Sequence, residues 1–183
     1  MEPKIILGID PGTNLMGWAI LSVEKTKLKP LEIGVLELTK VKEPFAKLQR
    51  IFEEVSGLIA TYHPQELAIE APFFGKNVQS MLKLGRAQGM AIAAALAHKM
   101  AVYEYAPRKV KLSITGRGAA SKEQVANMLH KTLQMDKIPV KWDATDALAV
   151  AVCHYHQSQN PIKEKAGPKS WEAFLSQHPE RIG

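Results

Sequence analysis

A short apolar segment near the start of the chain, Lys4 to Asp10, places the tightest constraint on the fold. Side chains alternate between the two faces of a strand, so the neighbours Ile6 and Leu7 would point in opposite directions. A strand that is apolar on both faces is typical of the centre of a sheet that is covered on each side. Pro11-Gly12 follows directly and predicts a turn. The segment therefore predicts a central buried strand that ends in a carboxylate.

Strand-like and helix-like segments alternate along the rest of the chain. Two further strands are predicted at Gly17 to Glu24 and Leu31 to Leu38, in an antiparallel meander with the first. A fourth is predicted at Glu66 to Glu70 and a fifth at Val102 to Tyr105. Helices are predicted over Pro44–Tyr62, Val78–Lys99, Pro107–Ile114, Lys122–Gln134 and Asp143–Gln157. This order predicts an α/β fold with a mixed five-stranded sheet flanked by helices.

Local signals support the predicted helices. Pro44 suits the first turn of a helix, where its missing N–H has no partner to lose. Ser121 with Gln124 three residues later resembles a capping box. In the first helix, apolar residues recur at helical spacing and should form its buried stripe: Phe45, Leu48, Ile51, Phe52, Val55, Leu58 and Ile59.

Composition bounds the class of protein. The 183 residues predict one folded domain, residues 1–158, followed by a flexible tail, residues 159–183. The net charge of +6 favours an anionic partner, of which nucleic acid is the commonest. Cys153 is the single cysteine, so no internal disulfide can form and a reducing compartment is expected. With no signal-peptide pattern and no apolar run of membrane-spanning length, a cytoplasmic protein without membrane contact is expected.

Four acidic residues stand where burying a carboxylate is costly. Asp10 and Glu70 end predicted strands, and Asp143 and Asp146 share one face at the start of the last predicted helix. If the two strands are parallel neighbours, these points meet at one edge of the sheet. Converging carboxylates repel each other, and a divalent cation is the simplest way to neutralise them. Oxygen ligands favour Mg²⁺, with Mn²⁺ as a substitute, and two ions about 4 Å apart would bracket a scissile phosphate.

Each acid taken alone has a simpler interpretation. Asp143 fits a helix cap or a partner of the helix dipole. Asp10 fits a turn residue before Pro-Gly, and Glu70 fits a charge at the rim of the fold. The prediction of a metal site therefore depends on the joint placement of the acids.

Three motifs stand in order along the chain: Gly8-Ile9-Asp10-Pro11-Gly12-Thr13 with Gly17, Ala68-Ile69-Glu70, and Asp143-Ala144-Thr145-Asp146-Ala147-Leu148-Ala149. Taken together, they resemble the RuvC Holliday-junction resolvases. The similarity continues through residues 82–89 and 105–111 and covers about Lys4 to Gln157.

The resemblance implies a ribonuclease H-like fold and a homodimer whose two active sites nick opposed strands of a four-way DNA junction, in recombination and repair. It also implies Mg²⁺ dependence and work beside a branch-migration motor. By motif, it implies four metal-binding catalytic acids: Asp10, Glu70, Asp143 and Asp146. It further implies that Phe73 stacks on a base near the crossover, and that Lys111 and Lys122 lie near the scissile or flanking phosphates.

Basic residues around these acids are candidates for contacts with DNA phosphates, which supply most of the affinity and little sequence information. The candidates are Lys76, Lys83, Arg86, Arg108, Lys109, Lys111, Arg117 and Lys122. For any one of them, a solvated basic face is the alternative.

Two other functions stay open at this stage. The segment Gly8 to Thr13 also resembles the first phosphate loop of the actin and Hsp70 ATPases, but those proteins need two such domains and this chain holds one. The third possibility is a junction-binding module without catalysis, against which the complete set of acids argues.

Overall fold

The computed structural model describes residues 2–72, 77–135 and 141–159. Phe73 and Lys76, two of the predicted DNA contacts, and residues 160–183, nearly all of the predicted tail, lie outside the described residues. The elements are β1 Lys4–Asp10, β2 Leu15–Glu24, β3 Lys27–Glu37, α1 Pro44–Tyr62, β4 Glu66–Glu70, α2 Val78–Ala97, β5 Ala101–Tyr105, α3 Pro107–Thr115, α4 Lys122–Thr132 and α5 Trp142–Gln159.

The strands form one mixed sheet in the order β3-β2-β1-β4-β5. β1, β2 and β3 are antiparallel neighbours, whereas β4 is parallel to both β1 and β5. The predicted α/β fold with a mixed five-stranded sheet is thus confirmed. β1 lies at the centre, and its residues Ile6, Leu7 and Ile9 are fully buried.

The period-two alternation of β1 supplies both halves of the core. On one face, Leu7 and Ile9 pack in a cluster with residues of α1 and α2. On the other face, Ile6 packs in a cluster with residues of α3, α4 and α5. Each such side chain contributes about 1.5–3 kcal/mol through burial. The sheet is therefore covered on both faces, as the apolar character of β1 predicts.

Helix α5 lies unusually close to the sheet, and two glycines permit this approach. A Cβ atom on Gly8 would lie 2.3 Å from the carbonyl oxygen of Ala147, and one on Gly17 would lie 1.9 Å from that of Asp143. Any side chain at either position would push the helix away, since such distances are shorter than van der Waals contact. The beginning of α5 is consequently fixed beside the carboxyl end of β1.

A buried polar network holds the other end of α5. His154 is 2% exposed, and its two ring nitrogens contact the hydroxyl of Tyr105 at 2.6 Å and the carboxylate of Glu66 at 2.5 Å. Glu66 also pairs with Lys4 at 2.6 Å. Cys153 is also fully buried, so this part of α5 packs against the sheet through neighbouring side chains.

Most predicted bounds are within about two residues of the observed ones, and the larger differences concern the start of β3 and the buried stripe of α1. β3 begins at Lys27 rather than Leu31, so the turn after β2 is short and contains Lys25 at a positive φ of 55°. Pro30 is tolerated in β3 because this strand is at the edge of the sheet, where a missing N–H costs no ladder bond. Phe45 is 71% exposed, so its assignment to the buried stripe of α1 was wrong. Helical spacing indicates which face is apolar, but not how far along the helix the core extends.

The two helix starts that were predicted from local signals, at Pro44 and at Ser121, are confirmed. Pro44 lies in the first turn of α1, and Glu43 caps it by accepting a hydrogen bond from the amide of Ala46. The capping box is present at α4, where Ser121 and Gln124 each accept a hydrogen bond from the other's backbone amide.

Candidate active site

Asp10 and Glu70 end two adjacent parallel strands. Ile9 pairs with Ile69 in the β1–β4 register, so the next residue on each strand is one of these two acids. Both side chains are partly buried. Parallel pairing thus brings two carboxylates from distant parts of the chain to one edge of the sheet, as the sequence predicts.

Helix α5 adds Asp143 and Asp146 to this edge. Gly17 pairs with Asp10 across β1 and β2, and the backbone of Asp143 lies on Gly17. Asp143 is in the first turn of α5, and Asp146 lies three residues further on the same side of the helix. Both are partly buried. The structure therefore gathers all four predicted acids at the carboxyl ends of β1 and β4.

The acids are close enough for their charges to shift one another's pKa. Burial, and then the charges of Glu70, Asp146 and Asp143, raise the pKa of Asp10 from 3.8 to about 8. Burial, and then the charge of Asp146, raise the pKa of Glu70 from 4.5 to about 7. Without a cation, the ionised forms of Asp10 and Glu70 are thus costly in this environment.

Two of the predicted basic residues lie at this cluster of acids. Lys122, the first residue of α4, forms an ion pair with Asp146. Its charge lowers the pKa of both Asp10 and Glu70, and that of Lys111 on α3 lowers the pKa of Glu70. These two lysines are the ones that the resemblance places near phosphates.

The other described candidates for DNA contact are more dispersed. Lys83 and Arg86 are exposed on α2, which packs on the face of the sheet opposite to α3, α4 and α5. Arg108 and Lys109 are exposed on α3, and Arg117 is exposed in the loop after it. The Arg108 stem covers Gly118, where a Cβ atom would lie 2.7 Å from Cγ of Arg108. The structure thus leaves these five residues as surface cations at varying positions around the fold.

The donor chemistry of the acids fits a hard divalent cation, because carboxylate oxygens are the ligands that Mg²⁺ and Mn²⁺ prefer. Within residues 2–72, 77–135 and 141–159, however, no three acidic, histidine or cysteine side chains are positioned to hold an ion as they stand. Asp146 is directed to Lys122 instead. The backbone placement and the chemistry of the acids therefore fit a metal site, and their side chains have to turn for the oxygens to share an ion.

Sequence reasoning missed one residue that supports the site. Gln88 on α2 is a polar side chain that is only 7% exposed. Its amide nitrogen donates to the backbone carbonyl of Glu70 at 3.3 Å and to the carboxylate of Glu104 at 2.5 Å. Gln88 thereby fixes the end of β4 from which the Glu70 side chain extends. The only sequence signal was a glutamine among small and apolar residues of a helix.

Known proteins match nearly the whole described chain. The family model for crossover junction endodeoxyribonuclease RuvC matches residues 6–154. The chain belongs to the RuvC family. The crossover junction endodeoxyribonuclease RuvC of Cytophaga hutchinsonii is 54% identical over 179 residues, which cover 98% of this chain and 88% of the relative. Membership of this family favours the resolvase over the ATPase and the non-catalytic module.

Solved RuvC structures share the fold. Thermus thermophilus RuvC matches with a TM-score of 0.77 and 30% identity, over 85% of this chain and 95% of that one. T. thermophilus RuvC in complex with its Holliday junction substrate matches with a TM-score of 0.76 and 27% identity, over the same shares. This likeness to RuvC confirms the expected ribonuclease H-like fold. Among the helices that the structure describes, none is both long and apolar enough to cross a membrane.

Proposed function

We propose that this RuvC-family chain is a metal-dependent endonuclease that resolves four-way DNA junctions by paired, symmetric nicks during recombination and repair. The observation that carries the proposal is the convergence of Asp10, Glu70, Asp143 and Asp146 at the carboxyl ends of β1 and β4. The solved complex of T. thermophilus RuvC with its Holliday junction substrate supports the choice of DNA. We assign the nuclease domain to residues 1–158.

The four acids are proposed to hold Mg²⁺, with Mn²⁺ as a substitute, at two positions in each active site. When bound there, two such ions would supply an activated water and offset the charge on the departing 3′ oxygen. The acids themselves act as ligands rather than as proton carriers. The raised pKa values of Asp10 and Glu70 support this role, because burial and then the neighbouring acids disfavour their ionised forms, and a bound cation would compensate for both effects.

Lys111 and Lys122 are proposed to bind the scissile and flanking phosphates, because both lie at the acids and both carry flexible cationic heads. Phe73 is proposed to stack on a base near the crossover, where unstacking costs less than in a regular duplex. We further propose that five other basic residues bind phosphates of the DNA arms: Lys76, Lys83, Arg86, Arg108 and Arg117.

A second active site is needed for paired nicks, and we therefore propose a homodimer that holds one junction between two copies. A closed twofold assembly presents the same surface from each copy and so matches a substrate with opposed equivalent strands. We also propose that the protein works in the cytoplasm beside a branch-migration motor, as the family resemblance implies.

A cleavage assay tests the proposed function. The purified protein is mixed with Mg²⁺ and a synthetic four-way junction in which each strand is labelled in turn, and the products are separated under denaturing conditions. Nicks at matching positions of two opposed strands are expected, with none when EDTA replaces Mg²⁺. A linear duplex that contains the same sequences serves as the control and should stay intact. If the folded protein binds junctions but cuts no branched DNA with Mg²⁺ or Mn²⁺, the assignment is wrong.

A further inference from the structure

One of the four acids already has a cationic partner within the protein. The ammonium group of Lys122 pairs with a carboxylate oxygen of Asp146, whose side chain is 17% exposed. The capping box of Ser121 and Gln124 fixes the start of α4 and therefore the point from which Lys122 extends. The lysine side chain itself is 56% exposed, so its head can leave the pair for solvent or for another anion.

Lys122 acts on more than its direct partner. Its charge lowers the pKa of Asp10 and of Glu70, which belong to two different strands. A single ammonium group therefore partly neutralises the cluster that a metal would otherwise neutralise. A bound divalent cation would replace this interaction, because two cations at the same carboxylate repel each other.

We propose that Lys122 is an exchangeable counterion, which pairs with Asp146 in the free protein and moves to a DNA phosphate when Asp146 binds metal. This inference rests on the proposed function. A metal that takes Asp146 releases the lysine for phosphate, and a phosphate that takes the lysine releases Asp146 for metal. Metal and DNA therefore favour each other's binding through this side chain, and the effect is equal in both directions.

Metal affinity without DNA is the first test. Mg²⁺ and Mn²⁺ are titrated calorimetrically into the unmodified protein, into Lys122→Gln and into Lys131→Gln. Lys131 is an exposed lysine on the same helix that lines a surface groove with Arg117 and Asn127, so it controls for the loss of one positive charge. Lys122→Gln is expected to bind the metal about three- to tenfold more tightly than the unmodified protein, and Lys131→Gln within about twofold of it. Equal metal affinity in Lys122→Gln and the unmodified protein would overturn the proposal.

The coupling between metal and DNA is the second test. The dissociation constant for a four-way junction is measured by fluorescence anisotropy, with Mg²⁺ and with EDTA. The junction is made uncleavable by a methylene group in place of the bridging 3′ oxygen around the crossover. The ratio of the dissociation constant in EDTA to that in Mg²⁺ measures how much the metal strengthens junction binding. This ratio is expected to be about three- to tenfold smaller in Lys122→Gln than in the unmodified protein and unchanged in Lys131→Gln.

These outcomes are distinct from the test of the proposed function. The same ratio in all three proteins contradicts the exchange even if the unmodified protein cuts junctions normally. Conversely, if the unmodified protein cuts no junction, the proposed function is wrong, whatever the metal affinities of the variants are. The thermal midpoint of each variant is measured alongside, and an unchanged value shows that the affinities report on the site.

Discussion

Gly17 and Asp143 are in direct backbone contact, since a Cβ atom added to Gly17 would lie 1.9 Å from the carbonyl oxygen of Asp143. Gly17 pairs with Asp10 in the sheet, so this contact places the start of α5 beside the end of β1. The distance between the acids on the strands and the acids on the helix therefore depends on the absence of a side chain at Gly17. A small change at Gly17 should act on the site without touching any acid.

Gly17→Ala is expected to push the start of α5 away from the sheet. The clash is with backbone, which cannot turn aside as a flexible side chain does, so a loss of about 1–3 kcal/mol in unfolding free energy is expected. The affinity for Mg²⁺ should fall as well, because Asp143 and Asp146 move with the helix. Denaturant unfolding and calorimetry measure the two effects.

Gly57→Ala is the matched control for this substitution. Gly57 lies within α1, is exposed and has no atom within 4 Å of an added Cβ. Alanine there should stabilise the protein by about 0.5–1 kcal/mol and leave metal binding unchanged. Similar losses of unfolding free energy and of metal affinity in the two variants would show that the close approach of α5 to Gly17 does not cause the effect of Gly17→Ala.

The stability of the metal-free protein should fall as the pH rises. The pKa of Asp10 is raised from 3.8 to about 8, so folding favours its protonated form. This stability is fully present below about pH 4 and is lost as the pH rises to about 8, with a slope of up to about 1.4 kcal/mol per pH unit. Glu70 adds the same trend between its ordinary pKa of 4.5 and about 7.

Unfolding measured in EDTA from pH 5 to pH 8, and again with saturating Mg²⁺, checks the pH dependence. The proposed site would bind Mg²⁺ through the ionised acids, so the fall should shrink when Mg²⁺ is present. Asp10→Asn cannot ionise at this position and should show a shallower fall in EDTA. A metal-free protein whose stability is flat or rises over this range would contradict the raised pKa values.

Gln88→Leu is expected to destabilise the end of β4. The substitution keeps the volume but removes the donor to the Glu70 carbonyl and to Glu104, at a cost of about 1–3 kcal/mol. Gln79→Leu changes an exposed glutamine of the same helix and should stay within about 0.5 kcal/mol of the unmodified protein. Chemical denaturation measures the unfolding free energy of both variants. Equal values would show that the hydrogen bonds of Gln88 do not stabilise the end of β4.

The acids could be predicted from the sequence because each ends or begins a strongly patterned element. Asp10 follows an uninterrupted apolar strand, and a strand buried on both faces has to lie centrally, where a parallel neighbour can bring Glu70 beside it. Asp143 and Asp146 share one face at the start of the last predicted helix, and the motif order of the resemblance assigns them to the same site. Periodicity and motif order were therefore enough to predict which carboxylates meet.

The contacts that hold the site could not be predicted in the same way. Gly8 and Gly17 were visible only as parts of a motif, because close backbone approach depends on how α5 packs against the sheet. The pairing of Lys122 with Asp146 joins residues 24 positions apart and follows from the angle of α4, which hydrophobic spacing does not encode. Phe45 shows the same limit, since it has the right spacing but lies beyond the end of the core.

Lys111→Gln is expected to weaken junction binding in a way that depends on salt. If Lys111 neutralises one phosphate, its loss should reduce the slope of log affinity against log salt concentration by about 0.9. Lys25 is an exposed lysine after β2, at the end of the sheet opposite to Asp10, so Lys25→Gln should leave the slope unchanged. Anisotropy titrations between 50 and 200 mM salt, roughly the range in which counterion release is measurable, give both slopes. An unaltered slope for Lys111→Gln would count against a phosphate contact.

Asp10→Asn and Asp146→Asn are expected to abolish cutting while leaving junction binding nearly intact. Each removes a charged ligand of the proposed metal site, where a bound metal would stabilise the transition state by several kcal/mol, so cleavage should fall by about a hundredfold or more. Phosphate contacts supply most of the affinity for DNA, and the loss of a negative charge should, if anything, strengthen them. Cleavage rates and dissociation constants for the same labelled junction separate these effects. If both variants lose binding along with cutting, the acids support the fold or the DNA surface, and the two-metal assignment fails.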